Sequence, residues 1–148
     1  MKVIDTYNAI LGAAVAVLSY ILGEHWILFA LFLGLNIIDW LTGWIKAKIT
    51  GSESSKTGLI GILKKFAYWM VVIASFSLSA AFVEVGKIID MDLGVTTLLG
   101  WFVLASFLVN EGRSICENFV EMGVEVPKVL VKGLQVANKV VNQEDDNE

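Results

Sequence analysis

The chain has one cysteine, one histidine and one proline in 148 residues. A lone cysteine, Cys116, excludes an intrachain disulfide, and with only His25 beside it no Cys/His metal cluster can be assembled within one chain. The redox compartment stays open. Enzyme signatures are missing too: there is no Gly-rich phosphate loop, no ligand-spaced His or Asp set and no serine elbow. His25 adjoins Glu24 with no nucleophile nearby in sequence, which fits a headgroup residue better than a base. No catalytic, metal or cofactor site is expected. The basic segments have few aromatics among them, so no nucleic-acid partner is expected either.

What the sequence does have is apolar surface. Hydrophobic residues make up 56% of the chain, above the roughly 45–50% of a soluble domain, and the mean hydropathy is +0.70. Four apolar stretches stand out, at about 7–22, 26–44, 66–83 and 93–109. At 1.5 Å per residue they give about 24–29 Å, enough to cross a hydrocarbon core of about 30 Å with help from flanking anchors. The fold expected is an all-α membrane protein, with a four-span bundle over 1–109 whose first span is the weakest. Trp26, Trp44, Tyr68, Trp69 and Trp101 lie near the ends of the last three stretches, as rings at headgroup depth do. Asp5 and the lack of a small-residue cleavage site argue against a secretory signal at the start. Ala9, Gly12, Ala13, Ala16 and Ser19 fall near one face of the first stretch, suiting either close helix contact or a plain, weakly hydrophobic anchor.

Lysine placement sets the orientation. Lys46, Lys48, Lys56, Lys64 and Lys65 lie between the second and third stretches against a single acid, Glu53, so this connection should be cytoplasmic. The other two connections are poor in lysine, which puts both termini inside. Within that connection GSESSKTG reads as a loop with Thr57 as a helix N-cap, and TGLIGILKK as an interfacial lead-in to the third span. After residue 109 the composition turns mixed, and 110–142 is expected to form cytoplasmic or interfacial amphipathic helices, the first stopped by Gly123 and the second opened by Pro127. In the second, Val126, Val129, Leu130, Leu134, Ala137 and Val141 line one side, and Lys128, Lys132, Gln135 and Lys139 the other. Anionic inner-leaflet lipid is one occupant of such a helix, a neighbouring subunit another. Lys64 and Lys65 belong to the same basic surface. The tail at 143–148, with Glu144, Asp145, Asp146 and Glu148, should be disordered.

Polar residues inside the apolar stretches are the candidate functional positions. Asn36, Asp39, Gly43 and Lys46 follow one another by 3, 4 and 3 residues and form one helical stripe. A carboxylate in the bilayer costs roughly 2.5–3.5 kcal/mol on insertion scales, so Asp39 should face helices or water rather than lipid. Lys46, Arg113, and Thr42 with Asn110 are within reach as partners. Three roles suit Asp39: a lock within one subunit, a lining residue of an oligomer's water-filled path, or proton-coupled chemistry. Ser75 and Ser79 give the third stretch a small-residue face, and so many such faces suggest contacts between copies as well.

DWLTGWIKAK, with Asp39, Thr42, Gly43 and Lys46, is followed by SSKTGLIGILKK, by NEGRSICEN, with Asn110, Glu111, Arg113, Ser114, Glu117 and Asn118, and by MGVEVP. These four blocks, in this order over residues 39–127, resemble the phage holin family that also contains clostridial toxin-secretion holins. Arg113 and Cys116 stand where that family is expected to carry apolar residues, and the tail is more acidic than expected. The resemblance implies a multi-pass protein of the host cytoplasmic membrane that assembles with itself and opens lesions for endolysin, or a toxin, with endolysin as a functional partner and no direct binding implied. An antiholin of the same architecture is the nearest alternative and also a candidate partner. A small transporter or channel subunit is the alternative from another class; it would need a fixed polar path and often repeat symmetry, and no repeat is visible.

Overall fold

The computed structural model describes residues 6, 8–10, 12–13, 15–16 and 25–142. Two compact units divide the chain, Met1–Gly34 and Leu35–Glu148. The expected first span lies largely outside the described residues, as does the acidic tail; the residues described between 6 and 16 are helical. Among the described residues there are helices and no strands. The helices are α1 (Trp26–Thr50), α2 (Ser55–Ile88), α3 (Leu98–Glu121, entered through a 3-10 turn at Gly94–Thr97) and α4 (Lys128–Asn142). The first three, α3 counted with its 3-10 turn, are long and apolar enough to cross a membrane.

Local chemistry sets the helix ends. Ser54, with extended backbone, caps α2 by accepting the Thr57 N–H at 3.4 Å. The cap is therefore Ser54 and not Thr57, which sits at the third helical position, where its N–H is one of the donors a cap must satisfy. TGLIGILKK forms no separate lead-in but the opening turns of the same 34-residue helix. At 1.5 Å per residue α2 is about 51 Å long, which exceeds a hydrocarbon core of about 30 Å. Gly123 ends α3, and the amphipathic helix expected to begin after residue 109 is no separate element but the continuation of α3 to Glu121. The Gly123 φ of 81° is open to glycine at little cost, and it turns the chain so that Gly123 N–H bonds Val120 O and Val124 N–H bonds Phe119 O, both at 2.9 Å. Pro127 then stands immediately before α4, its carbonyl accepting the Leu130 N–H at 3.0 Å.

In the second unit each packed helix buries one narrow face. Val72, Ser75, Ser79 and Gly86 are buried on α2, and Gly100, Leu104, Glu111 and Asn118 on α3. Spacings of three, four and seven residues keep such positions on one side of a helix. Small residues let α2 and α3 approach: a Cβ at Gly100 would lie 2.6 Å from the Phe76 ring, which is held edge-on against Trp101 with centroids 4.9 Å apart. Tyr68 stacks on Phe107 at 4.5 Å between the same helices. Gly100→Val should therefore lower bundle stability by about 1–3 kcal/mol. Unfolding of the purified chain in mixed micelles measures this, and a Phe76→Ala change in the same chain should recover part of the loss.

The remaining helix surface is apolar and uncovered. Only 17–22% of each apolar window is buried by the chain itself, so lipid or further copies must cover the rest.

Candidate functional site

The face that buries Val72, Ser79 and Gly86 on α2 extends, seven residues earlier, to Lys65. Two helical turns separate each of these positions from the next, so the lysine shares their inward direction, while Lys64, about 100° away around the helix, is exposed. The sequence reading put both lysines at the lipid surface; Lys65 turns inward instead. On α3 the same logic applies to Leu104, Glu111 and Asn118, spaced by seven and all buried.

These positions meet Asp39 of α1. Lys65 Nζ lies 2.9 Å from Asp39 Oδ2 and also pairs with Glu111 Oε2, so one ammonium joins carboxylates from two other helices. The side chains of Lys65 and Asp39 are 17% and 15% exposed, and that of Glu111 only 2%. Asn118 completes the cluster: its Nδ2 lies 3.0 Å from Asp39 Oδ1 and 3.1 Å from Thr42 Oγ1, engaging both amide hydrogens. The Thr42 hydroxyl in turn donates to the Asp39 carbonyl at 3.1 Å. Gly43 lies under Asn118, where a Cβ would be in ordinary contact, 3.6 Å from the amide nitrogen. The result is a clasp that fastens α1, α2 and α3 through groups that are costly to leave unpaired away from water.

The partners expected for Asp39 divide differently. Arg113 reaches Glu117 on its own helix, 3.6 Å away, with both side chains exposed. Lys46 pairs with Glu121 of α3 at 3.4 Å, and Asn110 is exposed. Only Thr42 joins the clasp, through the Asp39 backbone and Asn118. Asn36 is buried further up α1, and Ser114 is half-buried. Ser75 and Ser79 are buried with hydroxyls turned back on their own helix, donating to Val71 O at 2.8 Å and Ser75 O at 2.9 Å. The Lys46–Glu121 pair, with Glu121 58% exposed, should matter little. Lys46→Gln is expected to change stability by less than about 1 kcal/mol in the same micelle assay.

Lys128, Lys132 and Lys139 are exposed on α4. That helix packs on α3, with Leu134 at Gly112, where an added Cβ would come within 3.0 Å of the leucine. Among the described residues no group of three or more His, Cys, Asp or Glu side chains is placed to hold a metal ion. The cluster holds polar groups of three apolar helices together.

The chain matches the model of the bacteriophage holin family over residues 16–139. An uncharacterized protein of Halalkalibacterium halodurans is 34% identical over 128 residues, covering 86% of this chain and 88% of that protein. An uncharacterized protein of Listeria innocua is 34% identical over 115 residues, 78% of this chain and 74% of the other. A protein of Bacillus phage phi105 named as a probable holin is 33% identical over 118 residues, 80% of this chain and 78% of the phage protein. No solved structure matches. A polar clasp among membrane-length helices, the four sequence blocks and a family match over most of the chain agree: this protein belongs to the bacteriophage holin family.

Proposed function

We propose that the chain accumulates in the host cytoplasmic membrane, assembles with copies of itself, and opens lesions through which endolysin, or a toxin, crosses. In this reading the bundle has four spans with both termini cytoplasmic, and the basic connection between α1 and α2 faces the anionic inner leaflet. Endolysin is a functional partner, with no direct binding implied.

The observation that carries the proposal is the contrast between the two surfaces of α1–α3. Their outer faces are apolar and suit lipid or neighbouring copies, whereas the inner seam holds Asp39, Thr42, Lys65, Glu111 and Asn118. A resting subunit of this kind hides its hydrophilic groups. An assembly that rotates or separates the helices would turn the same groups toward water, where hydration replaces the internal pairing.

Expression of the chain alone in a bacterium tests this. Growth arrest, abrupt loss of membrane potential and passage of a cytoplasmic reporter enzyme through the membrane are expected after a lag. No arrest, together with a delay of lysis by a co-expressed lesion former, would assign the antiholin role. Saturable flux of one small solute without reporter release would indicate a transporter.

A further inference from the structure

Helix α4 has two apolar faces, and only one of them is used. Val131, Leu134, Ala137 and Val141 lie toward α3 and are half-buried. Val129, Gly133, Val136 and Val140, spaced by 4, 3 and 4, form a second stripe that is open among the described residues: the three valines are 83%, 62% and 68% exposed. The single apolar side read from the sequence is thus split, with Leu134 committed to α3 and Val129 to the open stripe. Beside that open stripe lie Lys128 and Lys132, both exposed, while Lys139 borders the cleft with α3 that Glu117 and Glu121 also line, and α4 contains no acidic residue from Lys128 to Asn142.

We infer that the Val129–Gly133–Val136–Val140 stripe docks on the anionic lipid surface of the membrane that α1–α3 cross. Charge selects this occupant: Lys128 and Lys132 complement anionic headgroups, while a second copy of α4 offers them no carboxylate. Tethering favours it as well. Six residues, 122–127, join α4 to a membrane-length helix, so the bilayer surface is present at high effective concentration. Small, shallow side chains suit insertion at headgroup depth without removing α4 from α3. The inference rests on the proposed cytoplasmic placement of α4, and it adds to that reading the particular face that meets lipid.

The test uses the full chain in vesicles, with Cys116→Ser and Val136→Cys substitutions and an environment-sensitive fluorophore on the new thiol. In bilayers containing phosphatidylglycerol the emission should be blue-shifted and shielded from acrylamide; in phosphatidylcholine alone it should be markedly more aqueous. Lys128 and Lys132 at an anionic surface correspond to about a thirtyfold change in the docked-to-free ratio. Lys128→Gln and Lys132→Gln together should erase the difference between the two lipids. Identical spectra in both lipids would overturn the inference. So would a blue shift that vanishes on diluting the protein in the same anionic lipid, which would mean that a second copy covers the stripe. Lesion formation is read separately, as release of an entrapped enzyme from the same vesicles, so failure of either idea is seen apart from the other.

Discussion

Replacing Lys65 with methionine should lower the stability of the bundle by about 3–5 kcal/mol, because it leaves two carboxylates facing one another with no cation between them. Glu111 is 2% exposed and Asp39 15%, so neither can turn readily to water without moving a helix. Methionine fills much the same volume as the lysine stem, so the loss reports charge and not a cavity. The measurement is unfolding in mixed micelles, with the amount of protein in the membrane as a second readout. Glu111→Gln placed in the Lys65→Met chain should recover at least half of the loss, since it removes the more deeply buried charge. Added salt separates this pair from its exposed neighbour. About 0.5 M salt should weaken the Lys46–Glu121 contribution and leave that of Lys65 nearly unchanged. A Lys65→Met chain as stable as the parent would mean that the clasp does not hold the helices.

The second large effect is expected on lysis timing. Asp39→Leu removes the Lys65 and Asn118 contacts of the Asp39 side chain, while Thr42 still reaches the Asp39 carbonyl and Asn118. Helix α1 then keeps only the Asn118 Nδ2 contacts of the clasp to α3, at Thr42 Oγ1 and the Asp39 carbonyl, and none to α2. Losing a charged hydrogen-bonded contact of this sort shifts an equilibrium by about 1.5–3 kcal/mol, or roughly tenfold to a hundredfold. Lesions should therefore open earlier, at several-fold lower density of protein in the membrane. Asp39→Asn keeps a polar group in place and should fall between the two. Unchanged onset at matched protein level would remove Asp39 from the opening step.

The last three apolar stretches were legible because length and composition alone make a membrane helix. The candidate polar positions were legible too, since Asn36, Asp39, Gly43 and Lys46 stand out against apolar neighbours at helical spacing. The partner of Asp39 was not. Lys65 sits next to Lys64 in a segment whose charge reads as cytoplasmic surface, and only the rotational phase of a continuous α2 distinguishes the two. Spacing by seven from Lys65 through Val72 and Ser79 to Gly86 held that information, but it becomes decisive only once the helix is known to run unbroken from Ser55. Arg113 is the nearest cation past the fourth stretch in sequence. It lies five residues from Asn118, about 140° around α3, and so on a different face from Glu111 and Asn118. Thr57 reads as the cap from its place after the serine run, but the first turn makes it the residue whose N–H Ser54 accepts.

The most direct measurement is made on purified chain in vesicles that hold both a small dye and a folded enzyme, with protein density raised in steps. Below a threshold density neither should escape; above it dye and enzyme should leave together, and Lys65→Met and Asp39→Leu should move that threshold down. Vesicles that keep their enzyme at every density, or that lose only dye in proportion to the protein added, would contradict a lesion formed by self-assembly of clasped subunits.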